Sequence, residues 1–115
     1  MGIEIWRQGS WLVGELTGDL DIASVPVVRV RLERSLAKQE VDGLILDLSG
    51  VNFLDSSGLG FILGRYHQLA EDGGKTIITG IQGQVKRVFE LSGLTELISR
   101  KESLPEALQA IREEK

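Results

Sequence analysis

The run Leu44-Ile45-Leu46-Asp47-Leu48 does most to limit how this chain can fold. It is short and nearly continuously apolar, the pattern of an interior parallel strand covered on both faces. Parallel neighbours need long crossover connections, and segments of helical period stand on both sides of it. From Ser24 to about Lys38, Val25, Val28, Leu32 and Leu36 recur at helical spacing. Ser24 is a fitting cap there, Pro26 is tolerated in the first turn, and Arg29, Glu33 and Arg34 mark the outer face. Beyond the run, Leu59, Ile62, Leu63, Tyr66 and Leu69 define the buried face of a second helix. It stops at Asp72-Gly73-Gly74, where glycine permits a left-handed exit.

The remaining segments complete the alternation. Ile3–Arg7 and Leu12–Thr17 read as two strands joined by a turn at Gln8-Gly9-Ser10, and Gly18-Asp19-Leu20-Asp21 reads as an acidic loop. Thr76–Thr79 is a further strand, Val85, Val88 and Phe89 mark a short helix ended by Gly93, and Leu97-Ile98 reads as a terminal strand. Ser103-Leu104-Pro105-Glu106 is a capping-box signature for a last helix with Ala107, Leu108 and Ile111 inward. The expected architecture is α/β, one domain over residues 1–115. It has a mixed, mainly parallel sheet of about four to five strands opened by a hairpin, with about four helices.

Charge and composition remove several function classes. The chain has 13 Lys plus Arg against 17 Asp plus Glu, a formal charge of −4, and its basic residues are scattered. A nucleic-acid platform needs concentrated positive charge, so direct nucleic-acid binding is not expected. The absence of cysteine excludes disulfides and thiolate metal sites, and the single histidine leaves little for zinc, so neither metal nor other cofactor is expected. The apolar runs are too short to span a membrane, and Met1-Gly2-Ile3-Glu4 lacks a signal-peptide layout, which makes the cytoplasm the expected location.

The chemistry concentrates at Asp55-Ser56-Ser57-Gly58-Leu59-Gly60, where the central strand hands over to the second helix. A helix N-terminus offers unpaired N–H groups and partial positive charge, so Ser56 is placed either to carry a phosphate or simply to cap the helix. Gly60 and Gly64, four apart, each cost about 1 kcal/mol of helix propensity, which implies a close approach by a neighbouring element or by a partner. Phe61 falls opposite the buried set on the helical wheel, beside Ser57 and Gly64, and is expected to face a partner. Other signals fail on inspection. Gly74-Lys75-Thr76 has Leu69 where a phosphate-binding loop needs glycine, and it leads into a strand. The sequence Gly58–Gly64 misses the dinucleotide fingerprint by one residue. Leu54 breaks the nucleophile elbow around Ser56, and His67, eleven residues on, lies about 16 Å along a helix, so a serine hydrolase is poorly supported.

The stretch Asp47–Gly60 followed by Leu63-Gly64-Arg65-Tyr66 resembles the bacterial anti-sigma factor antagonists of the STAS domain family. Leu16–Asp21, Gly73-Gly74 and Val85–Leu94 fit as well, so the similarity spans essentially the whole chain. Leu63–Tyr66 is most like the sporulation branch, whereas Ile22-Ala23 departs from its paired histidines, and the stress-response branch stays open. The resemblance implies a STAS-type domain that performs no chemistry itself. Unmodified, it would bind an anti-sigma factor serine kinase and free the sigma factor; phosphorylation on Ser56 would inactivate it, and a partner serine phosphatase would reverse this. Asp19 and Asp21 match the family's acidic loop beside the phosphosite, their plainer reading being a solvated turn. Together with Asp55, Ser57, Gly58, Gly60, Phe61 and Gly64 they make up the expected partner-binding face. A scaffold that binds irrespective of ATP is the alternative within the family.

Overall fold

Residues 1–113 are described by a computed structural model. The elements in order are β1 (Gly2–Gln8), β2 (Trp11–Leu20), α1 (Val25–Ala37), β3 (Gly43–Leu54), α2 (Ser56–Glu71), β4 (Lys75–Thr79), α3 (Gly83–Leu91), α4 (Leu94–Leu97), β5 (Ser99–Lys101) and α5 (Leu104–Glu113). The strands form one five-stranded sheet in the order β1-β2-β3-β4-β5. β1 and β2 are antiparallel, and every later pairing is parallel. The opening hairpin and the central place of Leu44–Leu48 are as the sequence implies.

The pleat sends alternate side chains to two apolar clusters, one on each face of the sheet. Leu12, Leu16 and Leu20 of β2 and Leu44, Leu46 and Leu48 of β3 join Val28, Leu32, Ile62 and Phe89 of the covering helices in the larger one. Trp11, Val13, Ile45 and Ile77 meet Ala107 and Ile111 of α5 in the smaller. Leu104 and Leu108 are partly buried against it. The capping box operates with one change: Glu106 N–H donates to Ser103 Oγ at 3.4 Å, while the Glu106 carboxylate accepts from the N–H of Glu102.

Three expectations are corrected. The acidic segment is not a loop, since Gly18, Asp19 and Leu20 continue β2 and pair with Val51, Phe53 and Leu54. β3 accordingly runs to Leu54, well past Leu48. Val51 and Leu54 share a cluster with Leu44, Leu46 and Leu48, a spacing that strict alternation forbids. Register shifts between Glu15 and Thr17 and between Gly18 and Asp19 accommodate it, extra residues in β3 re-aiming the strand. At the other end, Leu97 closes the short α4 and Ile98 N–H donates to Leu94 O at 2.8 Å, so the edge strand begins only at Ser99. That single turn also raises the helix number from about four to five.

Candidate functional site

β2 and β3 end side by side, Leu20 opposite Leu54, so the residues that follow, Asp21 and Asp55, occupy equivalent places at the carboxyl edge of the sheet. Both head a helix. Asp21 Oδ1 accepts from the N–H groups of Ala23 (3.1 Å) and Ser24 (3.0 Å). Asp55 Oδ1 accepts from Gly58 N–H at 2.9 Å, and its Oδ2 reaches across to accept from Ile22 N–H at 3.1 Å. One carboxylate therefore caps α2 and holds the α1 turn against it.

This arrangement corrects the reading of Ser24 as a cap and removes the capping alternative at Ser56. Ser24 makes no side-chain cap bond; its hydroxyl donates to Asp19 O at 2.8 Å and accepts from Asp21 N–H at 3.0 Å. At Ser56 the cap belongs to the preceding residue, Asp55, in extended backbone. Ser56 is the first helical residue, exposed, and its hydroxyl has no partner among the described residues. An oxygen not needed by the helix is free for chemistry, and it stands where a helix start favours negative charge.

The glycines of α2 divide into two kinds. Gly58 is buried, and an added Cβ would lie 2.4 Å from both Leu20 O and Leu54 Cδ1. It lets the helix start sit down on the two strand ends and is unavailable to a partner, which removes it from the expected contact face. At Gly60 and Gly64 an added Cβ meets nothing within 4 Å. Close internal packing is therefore not what these two serve.

Phe61 is the main correction. It is 1% exposed, part of the larger core, and contributes no side chain to the outer surface. The wheel argument gave α2 one buried face, toward the sheet, but α1 covers a second. The buried set is Gly58, Phe61, Ile62, Arg65 and Leu69, with Leu59, Leu63 and Tyr66 partly buried. Arg65 lies 5.2 Å over the Phe61 ring and 3.4 Å from Glu33 of α1. Burial foremost holds its guanidinium below its ordinary pKa, Glu33 opposes that, and Arg29 adds to it. Glu33 is thus turned toward α2, and the outward side of α1 instead exposes Val27 and Val30. A repeat of three and four on one helix carries no sign of a second covering helix, so the sequence had no signal for this.

Asp19, Asp21, Asp55, Ser56, Ser57 and Gly60 come together at this one edge of the sheet, with Gly64 a turn further along α2. The Asp19 side chain is exposed and has no partner among the described residues. His67 is remote from Ser56 along α2 and sets its ring edge-on to Tyr66, with centroids 5.4 Å apart.

The Ser56 hydroxyl thus stands exposed at the start of α2, with the capping bond made by Asp55. A family model for the STAS domain matches residues 3–107, and the chain belongs to that family. Over 96 residues it is 31% identical to an anti-sigma F factor antagonist from Paenibacillus polymyxa, covering 84% of this chain and 82% of that protein. It is 30% identical over 101 residues to an anti-sigma-B factor antagonist from Staphylococcus aureus, covering 85% and 90%. The anti-sigma factor antagonist SpoIIAA, solved in its unphosphorylated form, superposes with a TM-score of 0.83 at 28% identity, covering 96% of each chain. At the level of the family, the chain groups with the anti-sigma factor antagonists.

Proposed function

We propose that this chain is an anti-sigma factor antagonist of a partner-switching system, acting by binding rather than by catalysis. Unphosphorylated, it docks on an anti-sigma factor serine kinase through Asp19, Asp21, the Ser56-Ser57 turn and the open side of α2 at Gly60 and Gly64, and the sigma factor is released. The observation that carries this reading is the Ser56 hydroxyl, exposed and unused because Asp55 caps the helix.

In the kinase complex, Ser56 Oγ attacks the γ-phosphorus of ATP, the bond to the β–γ bridging oxygen breaks, ADP leaves, and the hydroxyl proton passes to a base of the kinase. A serine phosphatase reverses the modification by hydrolysis. The phosphate adds about −1.5 to −2 charges next to Asp55. Desolvating such a charge without a partner at the interface costs on the order of 3–5 kcal/mol, and each ~1.4 kcal/mol is tenfold in affinity, so docking weakens about a hundredfold or more. The helix start accepts the anion locally, and the fold does not need to change.

The test is to incubate the protein with the anti-sigma factors of its source organism and ATP, then measure phosphate incorporation and complex stability. Ser56→Ala is expected to bind and stay unmodified, and Ser56→Asp to bind poorly. Equal affinity of the two variants contradicts the switch. Phosphate found on Ser57 moves the site by one residue and leaves the switch intact. Binding indifferent to ATP favours a scaffold.

A further inference from the structure

The groove between α1 and α2 carries a positive charge that the described residues leave unanswered. Ile22, Pro26 and Arg29 form one wall, Ser57 and Gly60 the other, and Phe61 the floor of a space of about 400 Å³. Arg29 is exposed and has neither a hydrogen bond nor an ion pair among the described residues. Glu33, four residues on, is at the spacing of a helical ion pair with it, but Glu33 is committed to Arg65, 3.4 Å away. Arg65 is only 8% exposed, and neither its Nε nor the Nη1 that faces Glu33 has a hydrogen-bond partner among the described residues. Of these two guanidinium groups only Arg65 has a carboxylate beside it, on a chain whose formal charge is −4. The opposite wall is kept low by Gly60, and Gly64 leaves the next turn equally open.

We propose that this groove selects the anti-sigma factor, and that its occupant is a segment of that partner placing a carboxylate on Arg29 and an apolar side chain against Ile22 and the Gly60 wall. The inference rests on the function proposed above and names the chemistry of its docking face. Charge complementarity supports an acidic occupant, because a carboxylate at Arg29 relieves the repulsion between Arg29 and Arg65. The groove is continuous with the Ser56 turn through Ser57. Acidic Asp19 and Asp21 at one end and Arg29 at the other give the face opposite signs along its length, which fixes one orientation of a partner.

The experiment measures binding of unphosphorylated wild type, Arg29→Gln, Arg29→Glu and the control Arg34→Glu to the anti-sigma factor that binds wild type, at low and high salt, with circular dichroism to verify folding. Arg29→Glu is expected to lose at least about tenfold in affinity and Arg29→Gln less, with a shallower salt dependence for both. Arg34→Glu should stay within about twofold. An acidic-to-lysine substitution in the partner should restore binding to Arg29→Glu. Binding of Arg29→Glu within about twofold of wild type overturns the inference. If no anti-sigma factor binds wild type, the proposed function itself fails.

Discussion

The turn from β2 into α1 and the turn from β3 into α2 start from equivalent strand ends and use their serines differently. Each follows a paired strand end, each is headed by an aspartate, and each has a serine within three residues of it. In the first, Ser24 Oγ is bonded on both sides, to Asp19 O and to Asp21 N–H. In the second, Asp55 takes the capping role and reaches over to Ile22, leaving Ser56 Oγ with nothing to do. The lesson is that a hydroxyl at a helix start is left free when a neighbouring side chain makes the capping bond. A phosphate on Ser24 would break the bonds to Asp19 O and Asp21 N–H, whereas under the proposed function a phosphate on Ser56 alters only what a partner meets.

The contrast can be broken most severely at Gly58, the contact that joins the two turns. Gly58→Ala places a methyl against Leu20 O and Leu54 Cδ1, and a loss of about 1–3 kcal/mol is expected in urea unfolding. An unchanged midpoint would mean that the strand ends yield freely. Asp55→Ala should cost about 0.5–2 kcal/mol through the cap alone. Because Asp55 also holds Ile22 N–H, amide hydrogen exchange should quicken at Ile22 as well as at Gly58; protection kept at Ile22 would dissolve the proposed link. Gly60→Ala goes the other way and should stabilise the helix by up to about 1 kcal/mol while weakening partner binding, since no internal atom needs the space. The smallest pair is the most telling. Ser24→Ala should lose on the order of 1 kcal/mol, whereas Ser56→Ala should unfold within about 0.5 kcal/mol of wild type and abolish phosphate incorporation. Equal costs at the two serines would erase the distinction.

Much of this edge was legible from local pattern. Ser56 stood out because a strand signal gave way to a helical one at Asp55, and Asp19 and Asp21 entered the site through the resemblance to the family's acidic loop. What local pattern missed had a common cause. Phe61 and Glu33 were placed on outer surfaces because a helical wheel assumes a single covering surface, while α2 is covered by both the sheet and α1. Asp19 was placed in a loop because the bulged register that extends β2 and β3 depends on pairing between strands more than thirty residues apart.

Periodicity, turn chemistry and the central aliphatic run determined by themselves that this chain folds as alternating strands and helices around a mainly parallel sheet, with a serine at the mouth of its second long helix. These are properties of neighbours in sequence, fixed by backbone geometry and by which residues avoid water. Only the tertiary structure decided that Asp55 relieves Ser56 of capping, that Gly58 is a spacer while Gly60 and Gly64 are openings, and that Arg29 is left without a partner among the described residues. Each depends on which atoms from distant segments arrive within a few ångströms, and helix-on-helix and strand-on-strand packing sets that.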